Sequence, residues 1–68
     1  MIKQGIYRHY KGNLYRVVGI GKHSETLEAL VFYQALYGDH GYWVRPLAMF
    51  TENIVHEGEA VARFTFQE

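Results

Sequence analysis

Residues 27–46 constrain the fold most, because they read as two β-strands joined by a short turn. The run from Leu30 to Tyr33 is rich in β-branched and aromatic residues, which favour strands. The second run ends at Pro46, which removes a backbone donor. Residues 37–42, between the runs, contain two glycines and Asp39, all typical of turns. The stretch therefore predicts a β-hairpin at the centre of a small domain.

The flanking segments predict three more strands and a helical turn. Residues 5–10 and 14–20 suit strands, and residues 11–13 supply turn chemistry for a first hairpin. Gly19 and Gly21 predict a bulge or a close backbone approach in the second strand. Residues 47–54 favour a short helical turn that plugs one end of the fold, and residues 51–58 predict a polar loop. Residues 61–66 alternate again and predict a closing strand.

Five short strands must curl to bury one apolar face and protect their edges. The chain is therefore expected to be all-β, a small SH3-like five-stranded barrel with a short helical turn before the last strand. It forms a single domain over residues 1–68. An OB-fold is the alternative, although that fold usually needs a longer chain and a true helix. A domain of this size buries about 60% of its unfolded surface, so we expect any site to be an open groove.

Composition excludes several classes of function. The chain has no cysteine, which rules out disulfides, thiolate zinc sites and cysteine nucleophiles. Seven basic and seven acidic residues give zero net charge, so the domain lacks an overall basic footprint for nucleic acid. The first residues do not form an apolar signal region, and the longest apolar run is far too short to cross a membrane. We expect a cytoplasmic domain without a cofactor.

The densest polar cluster lies directly before the central hairpin and comprises His23, Ser24, Glu25, Thr26 and Glu28. A neighbouring histidine and serine rarely reach the geometry that proton transfer needs. The spacing of His23, Glu25 and a third group such as His9 matches no metal-ligand motif. We therefore assign no catalytic or metal-binding residues and favour a ligand-binding loop. A polar turn that caps itself is the alternative.

Aromatic residues form a second candidate group, which comprises Tyr7, His9, Tyr10, Tyr15, Tyr33, Tyr37, Tyr42 and Trp43. Strand alternation cannot direct all of them inward, so several should form an exposed binding surface. Trp43 and Arg45 are expected on opposite faces of their strand, with one of them inside. An inward Arg45 would need a carboxylate such as Glu25 or Glu28. Direct binding of an anion by Arg45 is the alternative.

Four stretches together resemble the bacterial family catalogued as domain of unknown function 1653. They are YRHYKG at residues 7–12, HSETLE at 23–28, VFYQALYG at 31–38 and WVRPLAMF at 43–50. The resemblance covers nearly the whole chain, although residues 51–61 are less recognisable. It implies a small cytoplasmic β-barrel domain of bacteria or their phages and brings no established activity.

The leading hypothesis is a non-catalytic recognition module that binds a small polar or nucleotide-like ligand, or a partner segment. Its groove would lie between residues 23–28 and the aromatic face of the first hairpin. The expected contacts are Tyr7, His9, Tyr10, His23, Ser24, Glu25, Thr26, Glu28, Trp43 and Arg45.

Two other functions and a dimer are also considered. One is a nucleic-acid adaptor that uses Lys3, Arg8, Lys11, Arg16 and Lys22. The other is a small hydrolase that uses His23 with Glu25 or Glu28. A homodimer through an exposed strand edge is also compatible with the sequence.

Overall fold

The structure is a computed structural model that describes residues 2–68. Seven strands and one helical turn follow one another along the chain. They are β1 (Gly5–His9), β2 (Leu14–Lys22), β3 (Ala29–Ala35), β4 (Tyr42–Pro46), α1 (Leu47–Phe50), β5 (Asn53–His56), β6 (Glu59–Ala62) and β7 (Phe64–Phe66). The prediction of an all-β fold with one short helical turn is confirmed.

The strands form two antiparallel sheets. The main sheet has the order β4-β3-β2-β1-β7, and β5 pairs only with β6. Strands β4 and β7 are the two edges of the main sheet, so within residues 2–68 it does not close into the expected five-stranded barrel. The apolar face is covered without closure, because Phe50 from α1 lies over it and the curl of the sheet brings Phe64 of edge strand β7 against Tyr33 of β3.

The core lies between this inner face of the main sheet and the two phenylalanines. Phe50 is 1% exposed and stacks on Phe64, with the ring centroids 4.0 Å apart and the planes 5° from parallel. Tyr7 and Tyr33 each meet Phe50 edge-on at 5.4 Å. The buried set is Tyr7, Val17, Val31, Tyr33, Ala35, Phe50 and Phe64. The predicted plug is therefore confirmed, and Phe50 is its apolar anchor.

The prediction of a polar loop over residues 51–58 is wrong, because β5 begins inside it. Glu57 and Gly58 connect β5 to β6 with φ values of 52° and 81°. Positive φ at both central residues is the two-residue hairpin turn that matches strand twist. Glutamate seldom adopts this backbone conformation, so the sequence carries only half of the usual signal. Each strand also buries little, since Ile54 and Val61 are only half-buried.

The predicted closing strand over residues 61–66 is divided at Arg63 into β6 and β7. The backbone N–H of Arg63 donates to the carbonyl of Glu52 at 3.0 Å. Its side chain donates to the carbonyl of Met49 at 3.1 Å and to the carboxylate of Glu52 at 2.8 Å. Arg63 thus ties the strand junction to the end of α1.

Strand β2 shows both features that its glycines predict. The register with β3 shifts between Val17 and Gly19, which leaves Val18 as the extra residue of a bulge. At Gly21, an added Cβ would lie 2.8 Å from a ring carbon of Phe32. Glycine is therefore required there, because the phenylalanine ring rests over its backbone.

The central turn also follows its sequence signal. The carboxylate of Asp39 accepts the backbone N–H of Gly41 at 3.1 Å, as expected for a turn residue. No helix in residues 2–68 is long and apolar enough to cross a membrane.

Candidate functional site

The polar loop of residues 23–28 joins β2 to β3 at one end of the main sheet. The aromatic residues of the first hairpin lie toward the other end, where Tyr15 pairs with Ala35. From Tyr15 to Lys22 there are seven residue steps (22 − 15 = 7). At about 3.3 Å per step the two regions are about 23 Å apart along the strand. The loop and the first hairpin therefore do not form the joint groove that the sequence suggested.

Hydrogen bonds within the loop use much of its polar chemistry. The Nδ1 atom of His23 accepts the backbone N–H groups of Glu25 at 3.1 Å and Thr26 at 3.3 Å. The Thr26 hydroxyl accepts the N–H of Glu28 at 3.2 Å. The carbonyl of His23 accepts from Leu27 at 3.0 Å, and its N–H donates to the carbonyl of Glu28 at 2.8 Å. This geometry favours the alternative of a polar turn that caps itself.

We expect His23→Ala to lower the free energy of unfolding by about 1 kcal/mol, the usual effect of losing a capping acceptor. In a domain of this size that corresponds to about 4–8 °C in melting temperature. His23→Asn should keep most of the stability, because an amide oxygen can replace Nδ1. Glu25→Ala is the matched control, since its exposed carboxylate caps nothing in the loop. Equal melting temperatures for His23→Ala and Glu25→Ala would contradict the capping role.

The three predicted site residues of the first hairpin have different environments. Tyr7 is 6% exposed and its hydroxyl donates to the carbonyl of Lys3, so its ring is part of the core. His9 is half-buried against Phe64, with the ring centroids 5.0 Å apart. Tyr10 lies between His9 and His56, at 4.5 Å and 5.1 Å. Tyr10 therefore packs against the β5–β6 hairpin.

Trp43 and Arg45 lie on the same face of β4, which corrects the expectation of opposite faces. Residues two apart in a strand point to the same side of the sheet. Trp43 pairs with the buried Tyr33, and Arg45 pairs with the buried Val31, so both belong to the inner face. Because β4 is an edge strand, Trp43 is still 57% exposed.

Arg45 does not form the ion pair that an inward position was expected to require. Its Nε donates to the hydroxyl of Tyr33 at 3.3 Å. In the described part of the chain no carboxylate lies within salt-bridge distance of its guanidinium, and neither Glu25 nor Glu28 forms a salt bridge there. Arg45 is half-buried. Its positive charge is therefore partly desolvated and has only a phenol as partner.

Two further tyrosines continue from Tyr33, and with it, Trp43 and Arg45 they make up a surface that we call the tyrosine–arginine patch (Tyr15, Tyr33, Tyr37, Trp43 and Arg45). The hydroxyls of Tyr15 and Tyr37 are 2.7 Å apart and share a hydrogen bond. The Tyr15 ring meets Tyr33 and Tyr37 edge-on at 5.4 Å and 5.5 Å. Tyr37 is 42% exposed. The patch thus combines phenol hydroxyls, exposed ring surface and one cation.

Ionisation in and beside the patch reflects burial and the arginine charge. Burial is the main cause that raises the pKa of Tyr15 to about 12, and the hydrogen bond between Tyr15 and Tyr37 raises it further, although Arg45 acts in the opposite direction. Tyr15 therefore remains a neutral phenol at physiological pH. Burial also lowers the pKa of His9, and the positive charges of Arg45, Arg63 and Lys11 lower it further. The neutral form of His9 is thus favoured beside the patch.

Tyr15, Tyr33 and Tyr37 were recognised as aromatic candidates but were not assigned to the site. A sequence signal was available for two of them, because Tyr15 and Tyr33 each lie two residues from a valine that is buried in the core. Residues two apart in a strand share a face, so this spacing places both tyrosines on the core side. A tyrosine at such a position buries its ring and can present its hydroxyl at the rim. Within residues 2–68, no three histidine or acidic side chains converge as metal ligands.

Comparison with known proteins gives one family and one similar structure. The family described as "Protein of unknown function (DUF1653)" matches residues 5–66. The crystal structure of a DUF1653 protein from Bordetella bronchiseptica superposes with a TM-score of 0.89 at 32% sequence identity. The match covers 97% of this chain and 87% of that one. No curated protein matches the chain. The chain therefore belongs to the DUF1653 family.

Proposed function

We propose that this protein is a non-catalytic recognition module that binds a small planar anion at the tyrosine–arginine patch. The observation that carries the proposal is Arg45, a half-buried cation with no carboxylate partner among residues 2–68. A partly buried charge is costly unless it is paired. A carboxylate or phosphate of a ligand would supply the missing partner.

The geometry of Arg45 suits such a ligand. Its Nε is held by the hydroxyl of Tyr33, while neither terminal nitrogen has a hydrogen-bond partner in the described residues. A guanidinium presents its donors as a rigid fork that matches the two oxygens of a carboxylate or phosphate. The contact with Tyr33 thus orients the side chain and leaves its terminal nitrogens for the anion.

The aromatic members of the patch would contact the rest of the ligand. Trp43 and Tyr37 are 57% and 42% exposed, and exposed rings of this kind stack on planar groups. The neutral Tyr15 hydroxyl offers a further hydrogen bond. A ligand that joins a planar ring to an anionic group, as a nucleotide does, satisfies both parts of the patch.

The hydrogen bonds of His23 within the polar loop count against the hydrolase alternative. The Nδ1 atom of His23 already accepts two backbone N–H groups, which removes that nitrogen from general-base chemistry. The order of strands in the main sheet and the helical turn after β4 support an SH3-like relationship, in which the patch lies on the inner side of edge strand β4.

The test is titration with adenosine 5′-monophosphate, benzoate, inorganic phosphate and adenosine, followed by the fluorescence of Trp43, the single tryptophan. A hydrogen bond to a charged group contributes about 1.5–3 kcal/mol. We therefore expect the monophosphate to bind about ten-fold or more tightly than adenosine. Arg45→Gln should remove that difference, while Arg45→Lys should restore it only in part.

Lys3→Gln is the matched control, because it removes the same charge from an exposed side chain outside the patch. Saturable binding that Arg45→Gln weakens and Lys3→Gln leaves unchanged would support the proposal. If none of the planar anions binds saturably, or if both variants bind equally well, the patch is not an anion site.

A further inference from the structure

The charges of this protein are distributed unevenly, although their sum is zero. Strands β1 to β4 contain four basic residues, which are Arg8, Arg16, Lys22 and Arg45, and no acidic residue. All seven acidic residues lie elsewhere, in turns, near α1, in the β5–β6 hairpin or at the C-terminus. Strands β1 to β4 therefore carry an excess of positive charge in a neutral chain. Of these four residues, Arg8 and Arg16 lie on the outer face.

The outer face of the main sheet, opposite the core, carries two of these charges among exposed aromatic side chains. Arg16 lies opposite Gln34, and Gln34 lies opposite Tyr42. In the neighbouring row Phe32 lies between Gly19 and Val44. These residues alternate with the buried ones of their strands, so they point away from Phe50 and Phe64.

Phe32 presents part of its ring to solvent on this face. The edge of the ring points at Gly21, so closely that an added Cβ there would be 2.8 Å from Cε2 and 3.4 Å from Cζ. The side chain is nevertheless 39% exposed. Gly19, directly opposite, leaves open space beside it. An exposed aromatic ring on a sheet is a platform on which a nucleic-acid base can stack.

Tyr42 and Arg16 extend this platform. Tyr42 is 72% exposed and lies diagonally from Phe32, at a spacing of roughly 7–8 Å. Arg16 is exposed, and no acidic side chain in residues 2–68 forms a salt bridge with it. Arg8 points to the same face and bonds only to the carbonyl of Gly12. Two ring platforms are thus bordered by two cations.

We propose that this outer face binds single-stranded nucleic acid. Bases stack on Phe32 and Tyr42, and phosphates pair with Arg16 and Arg8. A single strand fits better than a duplex, because stacking on a sheet requires bases that are free of their own partners. The absence of acidic residues from strands β1 to β4 favours a polyanion over an apolar protein surface.

The test is fluorescence anisotropy with a labelled twelve-residue oligothymidylate and with a duplex of equal length, in about 50 mM and about 200 mM salt. We expect the single strand to bind more tightly than the duplex, and its affinity to fall steeply with salt. Phe32→Ala and Tyr42→Ala should each weaken binding about five-fold or more. Arg16→Gln should lower the slope of log affinity against log salt by about 1.

Two controls separate this face from the rest of the molecule. Met49→Ala removes an exposed side chain on α1, and Val55→Ala removes an exposed side chain on β5 of the second sheet, so neither should change binding more than two-fold. If the Phe32→Ala variant does not fold, Tyr42→Ala still tests the proposal. Tyr42 is largely exposed, so its removal should leave the fold intact. No binding, binding insensitive to salt, or binding unchanged in Tyr42→Ala would overturn the proposal. Stronger binding of the duplex would also overturn it.

Discussion

Replacing Phe50 with alanine is expected to unfold this protein at moderate temperature. Phe50 is 1% exposed, stacks on Phe64 and meets Tyr7 and Tyr33 edge-on. Truncation of a buried phenylalanine usually costs about 3–5 kcal/mol. A domain this small is expected near the lower end of the usual 5–15 kcal/mol range of stability. The variant should therefore lose most or all of its folding free energy.

Urea denaturation, followed by circular dichroism and by Trp43 fluorescence, measures this loss. Met49→Ala is the matched control, because Met49 is the neighbouring residue of α1 and is 44% exposed. It should change the free energy of unfolding by less than about 1 kcal/mol. A Phe50→Ala variant as stable as Met49→Ala would mean that α1 does not anchor the core.

Replacing Gly5 with alanine should also destabilise the fold, for a reason that begins in the backbone. Gly5 has a φ of 141°, a conformation that residues with a side chain rarely adopt. An added Cβ would lie 2.5 Å from the carbonyl oxygen of Glu68 and 2.9 Å from the ring of Phe66. That carbonyl accepts the N–H of Ile6, so the change also disturbs the pairing of the C-terminal residues with β1. We expect a loss of about 1–3 kcal/mol from strain alone.

Gly19→Ala is the control for this effect, because it makes the same chemical change in the same sheet. Gly19 has an ordinary φ, and an added Cβ meets nothing within 4 Å. Its stability should stay within about 0.5 kcal/mol of the parent protein. If Gly5→Ala and Gly19→Ala have the same melting temperature, the close approach of the C-terminal residues to Gly5 does not constrain the fold.

The parts of the fold that could be predicted are those set by local chemistry. Alternation predicted β1, β-branched and aromatic residues predicted β2 and β3, and Asp39 predicted the turn before β4. The paired glycines of β2 predicted a bulge and a close approach, and both are present. The hairpin of β5 and β6 could not be predicted, because Glu57 in its turn has a positive φ, which residues with a side chain seldom adopt.

The candidate site was predicted less completely, since it depends on contacts between distant residues. The sequence correctly indicated that some aromatic residues would be exposed, but it could not show that Tyr7 is buried beneath Phe50. It suggested Glu25 or Glu28 as the partner of Arg45, whereas the Arg45 side chain donates a hydrogen bond to the hydroxyl of Tyr33. The sequence predicted that the polar loop binds a ligand. In the structure, His23 and Thr26 instead accept hydrogen bonds from the backbone of the loop itself.

The amino-acid sequence was sufficient to predict the all-β character, the short turns at residues 11–13 and 37–42, and the short helical turn. Each depends on interactions among residues close in the chain, which residue type alone controls. Only the tertiary structure decided which tyrosines enter the core, which residues share a face with Arg45, and how the basic residues of strands β1 to β4 are arranged on the sheet. These depend on strand register and on what covers each face. A shift of one residue in register would exchange the inner and outer faces, and with them both proposed sites.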